Sequence, residues 1–225
     1  MTAPLIIFDC DGVLVDSEPI SIGLMVEYCA AARFAISVED AYRSFLGKPV
    51  RDAAMHIKRD FGVTIPPIDL EDFQRDILSR FERDLHPVHN VTKALKRLDA
   101  PKAVASSSNP DRIHRSLRLT GLDAFFGENI FSTDQVARGK PHPDVFLYAA
   151  EKMGFQPHHA IVVEDSPAGL IAAKAAGMRT IGFAGASHAK PADLAAVLAG
   201  HDPDSLIDDM NDLQQAIASL ATNAA

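Results

Sequence analysis

Leu5-Ile6-Ile7-Phe8-Asp9-Cys10-Asp11-Gly12 is the stretch from which the fold of this chain can be read. Four apolar residues in a row make a short buried strand close to the amino terminus. Two carboxylates follow one residue apart, and a glycine then allows a sharp turn. Side chains alternate along extended backbone, so Asp9 and Asp11 leave on one side and Cys10 on the other. At about 4 Å and an effective dielectric near 20, two such charges repel by roughly 4 kcal/mol, which calls for a bound cation, a shared proton, or both. An acidic turn with Asp11-Gly12 at its corner accounts for the octet equally well.

Beyond Gly12, Val13-Leu14-Val15 is a brief apolar run suited to a hairpin edge beside the first strand. The pattern then turns helical from Ser17 to about Leu85, with no good buried strand. Asp16 or Ser17 can cap a helix with Ile20, Leu24, Val26 and Cys29 on its apolar side. Ser37 can cap a short helix through Phe45, and Gly47-Lys48-Pro49 breaks it. A helix over Val50–Phe61, an interruption at Pro66-Pro67 and an amphipathic helix over Asp69–Asp84 complete this block. Inserted directly after a strand, it predicts a separate helical domain over residues 17–85, with residues 1–16 and 86–225 forming the other.

From Val91 strands alternate with helices. A helix through Leu98 leads to the strand Lys102-Ala103-Val104-Ala105, which ends at Ser106-Ser107-Ser108. Pro110–Leu119 reads as a helix capped by Asn109 and stopped at Gly121, and Asn129-Ile130-Phe131 as a short strand. A helix over Asp144–Met153 precedes the strongest strand, Ala160-Ile161-Val162-Val163, which runs into Glu164-Asp165-Ser166-Pro167 and a helix to Ala176. A fifth strand, Arg179–Phe183, precedes an alanine-rich region with at least one more helix. The expected fold class is therefore α/β, a Rossmann-like parallel sheet covered on both faces, with an inserted α-helical domain. Ligands of such sheets bind beyond the carboxyl ends of the strands, where Asp9, Asp11, Ser106, Glu164 and Asp165 fall.

Composition narrows the function. At 225 residues and 47% hydrophobic, the chain can bury a sizeable core. Its formal charge of -8 argues against a nucleic-acid surface, yet a local cation or metal can still attract a small phosphorylated ligand. No stretch approaches a membrane span, and Met1 to Pro4 lacks the basic start of a secretory signal, so neither membrane nor nucleic acid is an expected partner. Two cysteines, Cys10 and Cys29, make no disulfide scaffold, and a cytoplasmic setting follows as the default. Neither is followed by arginine at the Cys-x5-Arg spacing of a cysteine phosphatase.

Between the third strand and the next helix lies Arg138-Gly139-Lys140-Pro141-His142-Pro143-Asp144, where two prolines stiffen the backbone that carries Lys140. Asp9-Cys10-Asp11-Gly12, Ser106, Gly139-Lys140-Pro141 and Glu164-Asp165-Ser166 resemble, in that order, the four motifs of the haloacid dehalogenase-like (HAD) hydrolases. The helical insert is similar to the cap of the branch that holds the β-phosphoglucomutases and phosphoglycolate phosphatases. The resemblance covers nearly the whole chain.

That resemblance implies a Mg2+-dependent phosphatase of a small phosphorylated metabolite, a sugar phosphate or similar, working through an aspartyl-phosphate. Asp9 matches the nucleophile, and Asp11 the acid that protonates the departing alcohol and then activates water. Asp165 matches the acidic ligand that completes a Mg2+ site with Asp9 and the Asp11 carbonyl, and Glu164 binds there through water or supports it. Ser106, with the backbone N–H of Ser107, matches the phosphate-holding hydroxyl, and Lys140 the cation that pairs with Asp9 and the phosphate. Lys48 and Arg51 are the substrate-reading candidates in the cap, although solvated helix charges explain them equally well. His142, His188 and His201 read as solvated loop histidines without a role. An ungapped match from Asp9 places Ser21 where the phosphoglucomutases carry a histidine, which favours hydrolysis over a phosphotransferase. Dehalogenation fits the metal-binding acids poorly. A non-catalytic phosphate-binding or phospho-receiver module would need no cap. A monomer or weak homo-oligomer is the expected assembly.

Overall fold

The computed structural model describes residues 3–48 and 50–222. Met1 and Thr2 of the amino-terminal stretch, Pro49 of the expected helix break and the last three residues of the alanine-rich tail lie outside them. The chain divides into two compact units, Met1–Asp16 with His86–Ala225, and Ser17–Leu85.

The first unit is built on a six-stranded parallel sheet: β1 (Leu5–Phe8), β2 (Lys102–Ser106), β3 (Ile130–Ser132), β4 (Ala160–Glu164), β5 (Arg179–Phe183) and β6 (Ser205–Ile207), in the order β3-β2-β1-β4-β5-β6. β1 is central because all four of its residues are apolar and fully buried, so it can be covered on both faces and both edges. Leu5 and Ile7 join Ala103, Ala105, Ala160 and Val162 in one core layer. The alternate residue Phe8 faces the other way, and its ring meets Phe126 edge-on at 5.9 Å. The chain builds outward from β1 to β3 on one side and from β4 to β6 on the other. The crevice at the carboxyl ends of β1 and β4 is thus the point where strand order reverses.

Two helices of this unit begin at side-chain caps. Four helices, α1 (Glu18–Ala31), α2 (Val38–Phe45), α3 (Ala53–Phe61) and α4 (Leu70–Asp84), lie in the other unit, and this one has α5 (Val91–Arg97), α6 (Pro110–Leu119), α7 (Asp144–Lys152), α8 (Pro167–Ala175), α9 (Leu194–Ala199) and α10 (Leu213–Thr222). Asn109 caps α6 by accepting from the Arg112 N–H at 2.8 Å, and Ser166 caps α8 by accepting from Gly169 N–H at 3.0 Å. Both helices open on proline, which has no N–H to leave unsatisfied there. α7 and α8 supply Val145, Phe146, Ala149, Ala172 and Ala173 to the layer on β1, β2 and β4.

The helical unit contains α1, α2, α3 and α4. Ser37 caps α2 through its side-chain oxygen, as its position predicts, and Asp69, expected inside α4, is instead the cap before it. α1 and α4 are joined by Tyr28 Oη donating to Asp76 at 2.8 Å, by the Tyr28–Phe73 ring pair at 5.3 Å and by the Arg80–Glu27 ion pair. The buried side of α1 is Ile22, Leu24, Met25 and Cys29; Ile20 and Val26 are only half-buried.

One local expectation is corrected. Val13-Leu14-Val15 forms no hairpin edge, because β2 and β4 occupy both edges of β1. It is a buried tight turn closed by Leu14 N–H to Cys10 O at 2.9 Å and Gly12 N–H to Val15 O at 2.8 Å. The region after β5 adds a sixth strand, Ser205-Leu206-Ile207, too short and too exposed to show a strand pattern in sequence. Among the described residues, no helix is long and apolar enough to cross a membrane.

Ile7 sits between Ala103 on β2 and Val162 on β4. Ile7→Ala should lower unfolding free energy by about 2–5 kcal/mol, measured by urea denaturation, because this fully buried site has no freedom to collapse around the void.

Candidate active site

Strand register brings the acidic residues together. Phe8 pairs with Val104 on β2 and Val163 on β4, so the next residue, Asp9, stands level with Ala105 and Glu164. The Asp9 N–H continues the ladder onto Val163 O at 3.0 Å. Ser106 and Glu164 are the last residues of their strands, and Asp165 follows immediately. One carboxylate oxygen from each of Asp9, Glu164 and Asp165 lies within 4.8 Å of the others, and all three residues are buried.

Lys140 enters this cluster from the loop before α7. Its Nζ donates to Asp9 Oδ1 at 2.7 Å, Glu164 Oε1 at 2.6 Å and Ala105 O at 3.0 Å, using all three of its protons. The Lys140–Pro141 peptide is cis. Arg138 pairs with Asp144 at 2.9 Å at the start of α7, and the Phe146 ring lies 4.9 Å from the Lys140 ammonium. The loop is therefore held on both sides of its lysine.

Charge does not balance here. Burial alone would drive the proton off Lys140, but Asp9 and Glu164 outweigh it and hold the ammonium more firmly protonated than usual. Burial pushes Asp9 well above the ordinary carboxylate range; Lys140 opposes that rise, while Glu164 and Asp165 reinforce it. Burial and the neighbouring Glu164 likewise raise Asp165. One ammonium cannot neutralise three buried carboxylates, and each repelling pair costs roughly 4 kcal/mol at 4 Å and an effective dielectric of 20. Hard oxygen donors carrying excess negative charge fit a divalent cation, and this triad can hold one. Glu164 is the most committed of the three: its Oε2 also accepts from Ser166 N–H at 3.0 Å and Ser166 Oγ at 2.9 Å.

Gly12 makes the close approach possible. Its φ is +76°, and a Cβ there would fall 1.8 Å from Asp165 Oδ2. Cys10 is buried, and burial, then Asp11 and Asp9, push its thiol well above its usual range. It is no thiolate nucleophile.

The expected phosphate-holding residues fall at the end of β2. Ser106 is buried, and its Oγ accepts from Ser108 N–H at 3.1 Å; Ser107 is exposed, with its carbonyl accepting from Thr133 Oγ1 at 3.3 Å. Lys48 and Arg51 belong to the helical unit. Lys48 Nζ donates to the carbonyls of Ser44 at 2.9 Å and Arg43 at 3.2 Å, where it satisfies the end of α2, and Arg51 is exposed.

Three neighbours of the cluster were not visible as site residues in the sequence. Arg112 Nη2 donates to Asp11 Oδ1 at 2.9 Å, and Ser108 Oγ donates to Asp11 Oδ2 at 2.7 Å. Arg112's position three residues after the Asn109 cap put it in the first turn of α6, the only hint available. His188, expected in solvent, is buried, with Nε2 3.3 Å from Asp165 Oδ2. Nothing in the loop sequence Gly185–Lys190 signals this, because the placement depends on how the chain returns after β5. His142 is exposed and His201 half-buried.

Residues 6–183 match the family model of the haloacid dehalogenase-like hydrolases. The chain belongs to that family. A 6-phosphogluconate phosphatase of Escherichia coli K12 is 28% identical over 187 residues, which cover 83% of this chain and 85% of that protein. A conserved haloacid dehalogenase-like protein of unknown function from Agrobacterium tumefaciens C58 superposes with a TM-score of 0.88 at 36% identity, over 97% of this chain and 99% of that one. A family hydrolase from Deinococcus radiodurans R1, crystallised with phosphate and sodium, superposes with a TM-score of 0.81 at 27% identity, over 97% and 96% of the two chains. The matched span contains Asp9, Lys140, Glu164 and, at its far side, the last residue of β5.

Lys140→Met would leave Asp9 and Glu164 without their shared cation. Urea denaturation of the metal-free variant should show a loss of about 3–5 kcal/mol, the usual cost of breaking a buried ion pair from one side.

Proposed function

We propose that this chain is a Mg2+-dependent phosphomonoesterase acting on a small phosphorylated metabolite of the sugar-phosphate class, through an aspartyl-phosphate on Asp9. The observation that carries the reading is the Lys140 ammonium bonded to Asp9 beside two further buried carboxylates. A buried carboxylate held by a lysine at the end of a central strand is an oriented nucleophile. The 6-phosphogluconate phosphatase relative and the phosphate-bound neighbour support the substrate class.

In the first step an Asp9 carboxylate oxygen bonds to phosphorus, the phosphorus–oxygen bond to the metabolite breaks, and Asp11 gives its proton to the departing alkoxide. In the second step Asp11 takes a proton from water, the hydroxide oxygen bonds to phosphorus, and the Asp9–phosphorus bond breaks to release phosphate. Lys140 holds Asp9 in line and meets the charge on the transferring group, while Ser106 and the Ser107 N–H hold its oxygens. Asp9, Asp165 and the Asp11 carbonyl would hold Mg2+, with Glu164 behind them. Its charge would offset the repulsion between the acidic cluster and an anionic ester.

Asp9→Asn keeps the shape and removes the nucleophile. Hydrolysis of p-nitrophenyl phosphate should fall by on the order of 10³-fold or more; an undiminished rate would overturn the assignment.

Metal dependence has a second readout in stability. Without metal, Asp9 and Asp165 retain protons that the unfolded chain has already lost, because their folded pKa values are raised. The native state then binds more protons than the unfolded one, so this contribution to stability falls as pH rises from about 4 through the raised values. Mg2+ binding requires the deprotonated ligands and reverses the trend. At one fixed Mg2+ concentration the rise in Tm should therefore be larger at about pH 8 than at about pH 5, and at 100 times the Kd that holds at about pH 8 it should there correspond to about 2.7 kcal/mol. Equal shifts at both pH values would count against a metal held by these acids.

A further inference from the structure

We propose that Arg112, with Ser108, is the positioning residue for the Asp11 carboxylate: one donor on each of its oxygens sets the direction in which the acid–base group faces. The proposal rests on the reading of Asp11 as that group.

A carboxylate after a turn glycine can rotate about two side-chain bonds, and one hydrogen bond leaves it free to pivot. Here Arg112 Nη2 lies 2.9 Å from Oδ1 and Ser108 Oγ lies 2.7 Å from Oδ2, so the plane of the carboxylate is defined at both ends. The Arg112 and Asp11 side chains are only 17% and 15% exposed, so water competes weakly for the pair.

The two donors are themselves fixed. The Arg112 N–H is tied to the Asn109 cap at 2.8 Å, which sets where the first turn of α6 begins and so where the guanidinium leaves it. The Ser108 N–H donates to Ser106 Oγ at 3.1 Å, and the Ser108 carbonyl accepts from Ser132 Oγ at 2.7 Å. Ser132 in turn accepts from Asp134 N–H at 3.1 Å, and its own N–H donates to Gln135 at 2.8 Å. A continuous set of hydrogen bonds thus runs from the end of β3, through the loop after β2, to the carboxylate beside the nucleophile. An ion pair serving stability alone has no need of this second donor on a braced loop. Proton transfer does need it, because a displacement of about 1 Å costs on the order of 10²-fold in rate.

The test compares single-turnover release of phenol from phenyl phosphate with release of p-nitrophenol from p-nitrophenyl phosphate. The two esters have similar shapes, but the nitro group stabilises the departing phenolate, so only the first depends strongly on a well-placed acid. Arg112→Gln should slow phenol release by about tenfold or more and p-nitrophenol release by no more than about threefold, with KM for each ester within about twofold of wild type. Ser108→Ala should show the same split to a smaller extent, and Arg112→Lys should restore part of the loss; both carry the test should the glutamine variant not fold. Crystal structures should show Asp11 in one orientation in the wild type and in more than one in Arg112→Gln. Equal slowing of both esters, no slowing of either, or wild-type crystals with Asp11 away from Arg112 would overturn the proposal. Should the wild type hydrolyse neither ester, the phosphatase reading falls, and the orientation of Asp11 in the two crystals still decides whether Arg112 holds it.

Discussion

The buried Lys140 ammonium is the interaction on which the acidic cluster depends. It bonds Asp9 just past β1, Glu164 from β4 and the Ala105 carbonyl of β2, so one side chain links the ends of three adjacent strands. Without it, three carboxylates would stand together in a region that excludes water. With it, the cluster is still short of positive charge, and that deficit is what suits it to a cation. Stability and chemistry therefore draw on the same imbalance.

The sheet supplies the precision that loops alone would not. Because β1, β2 and β4 pair in parallel, their carboxyl ends lie side by side, and a one-residue change in register would move Asp9 away from Glu164. The polar residues just beyond the strands are then steadied by short-range bonds. Ser166 caps α8 and also donates to Glu164, Gly12 lets Asp165 approach closely, and Arg138 anchors the Lys140 loop to α7. Rigid strands carry the charged groups, and capped helix starts aim them.

Much of this was legible beforehand for reasons that are local. A wholly apolar strand reads as central because it has no polar face to show to water, and Ser37, Asn109 and Ser166 announce helix starts because their side chains can accept from backbone N–H groups three residues on. The order of the acidic and basic motifs carries the family resemblance. Elsewhere local pattern loses its force. Val13–Val15 has the composition of a strand but lies in a turn, since both edges of β1 were already taken by distant segments. The sixth strand is three residues long at the sheet edge, and α1 buries Ile22 and Met25 where helical spacing alone favoured Ile20 and Val26.

By itself the sequence determined the α/β alternation, the helical insert after the first strand, and the residue types from which a phosphate and metal site could be assembled. Those follow from periodicity, capping and the short-range order of motifs along the chain. Only the tertiary structure decided that Arg112 and Ser108 meet Asp11, that His188 is buried against Asp165, and that Lys48 is occupied by carbonyls at the end of the preceding helix, α2. The first two pairings join residues far apart in sequence, and Lys48 had neighbours on either side that it could have served. Such choices are made by which charges and hydrogen-bonding groups the packed chain shuts away from water together.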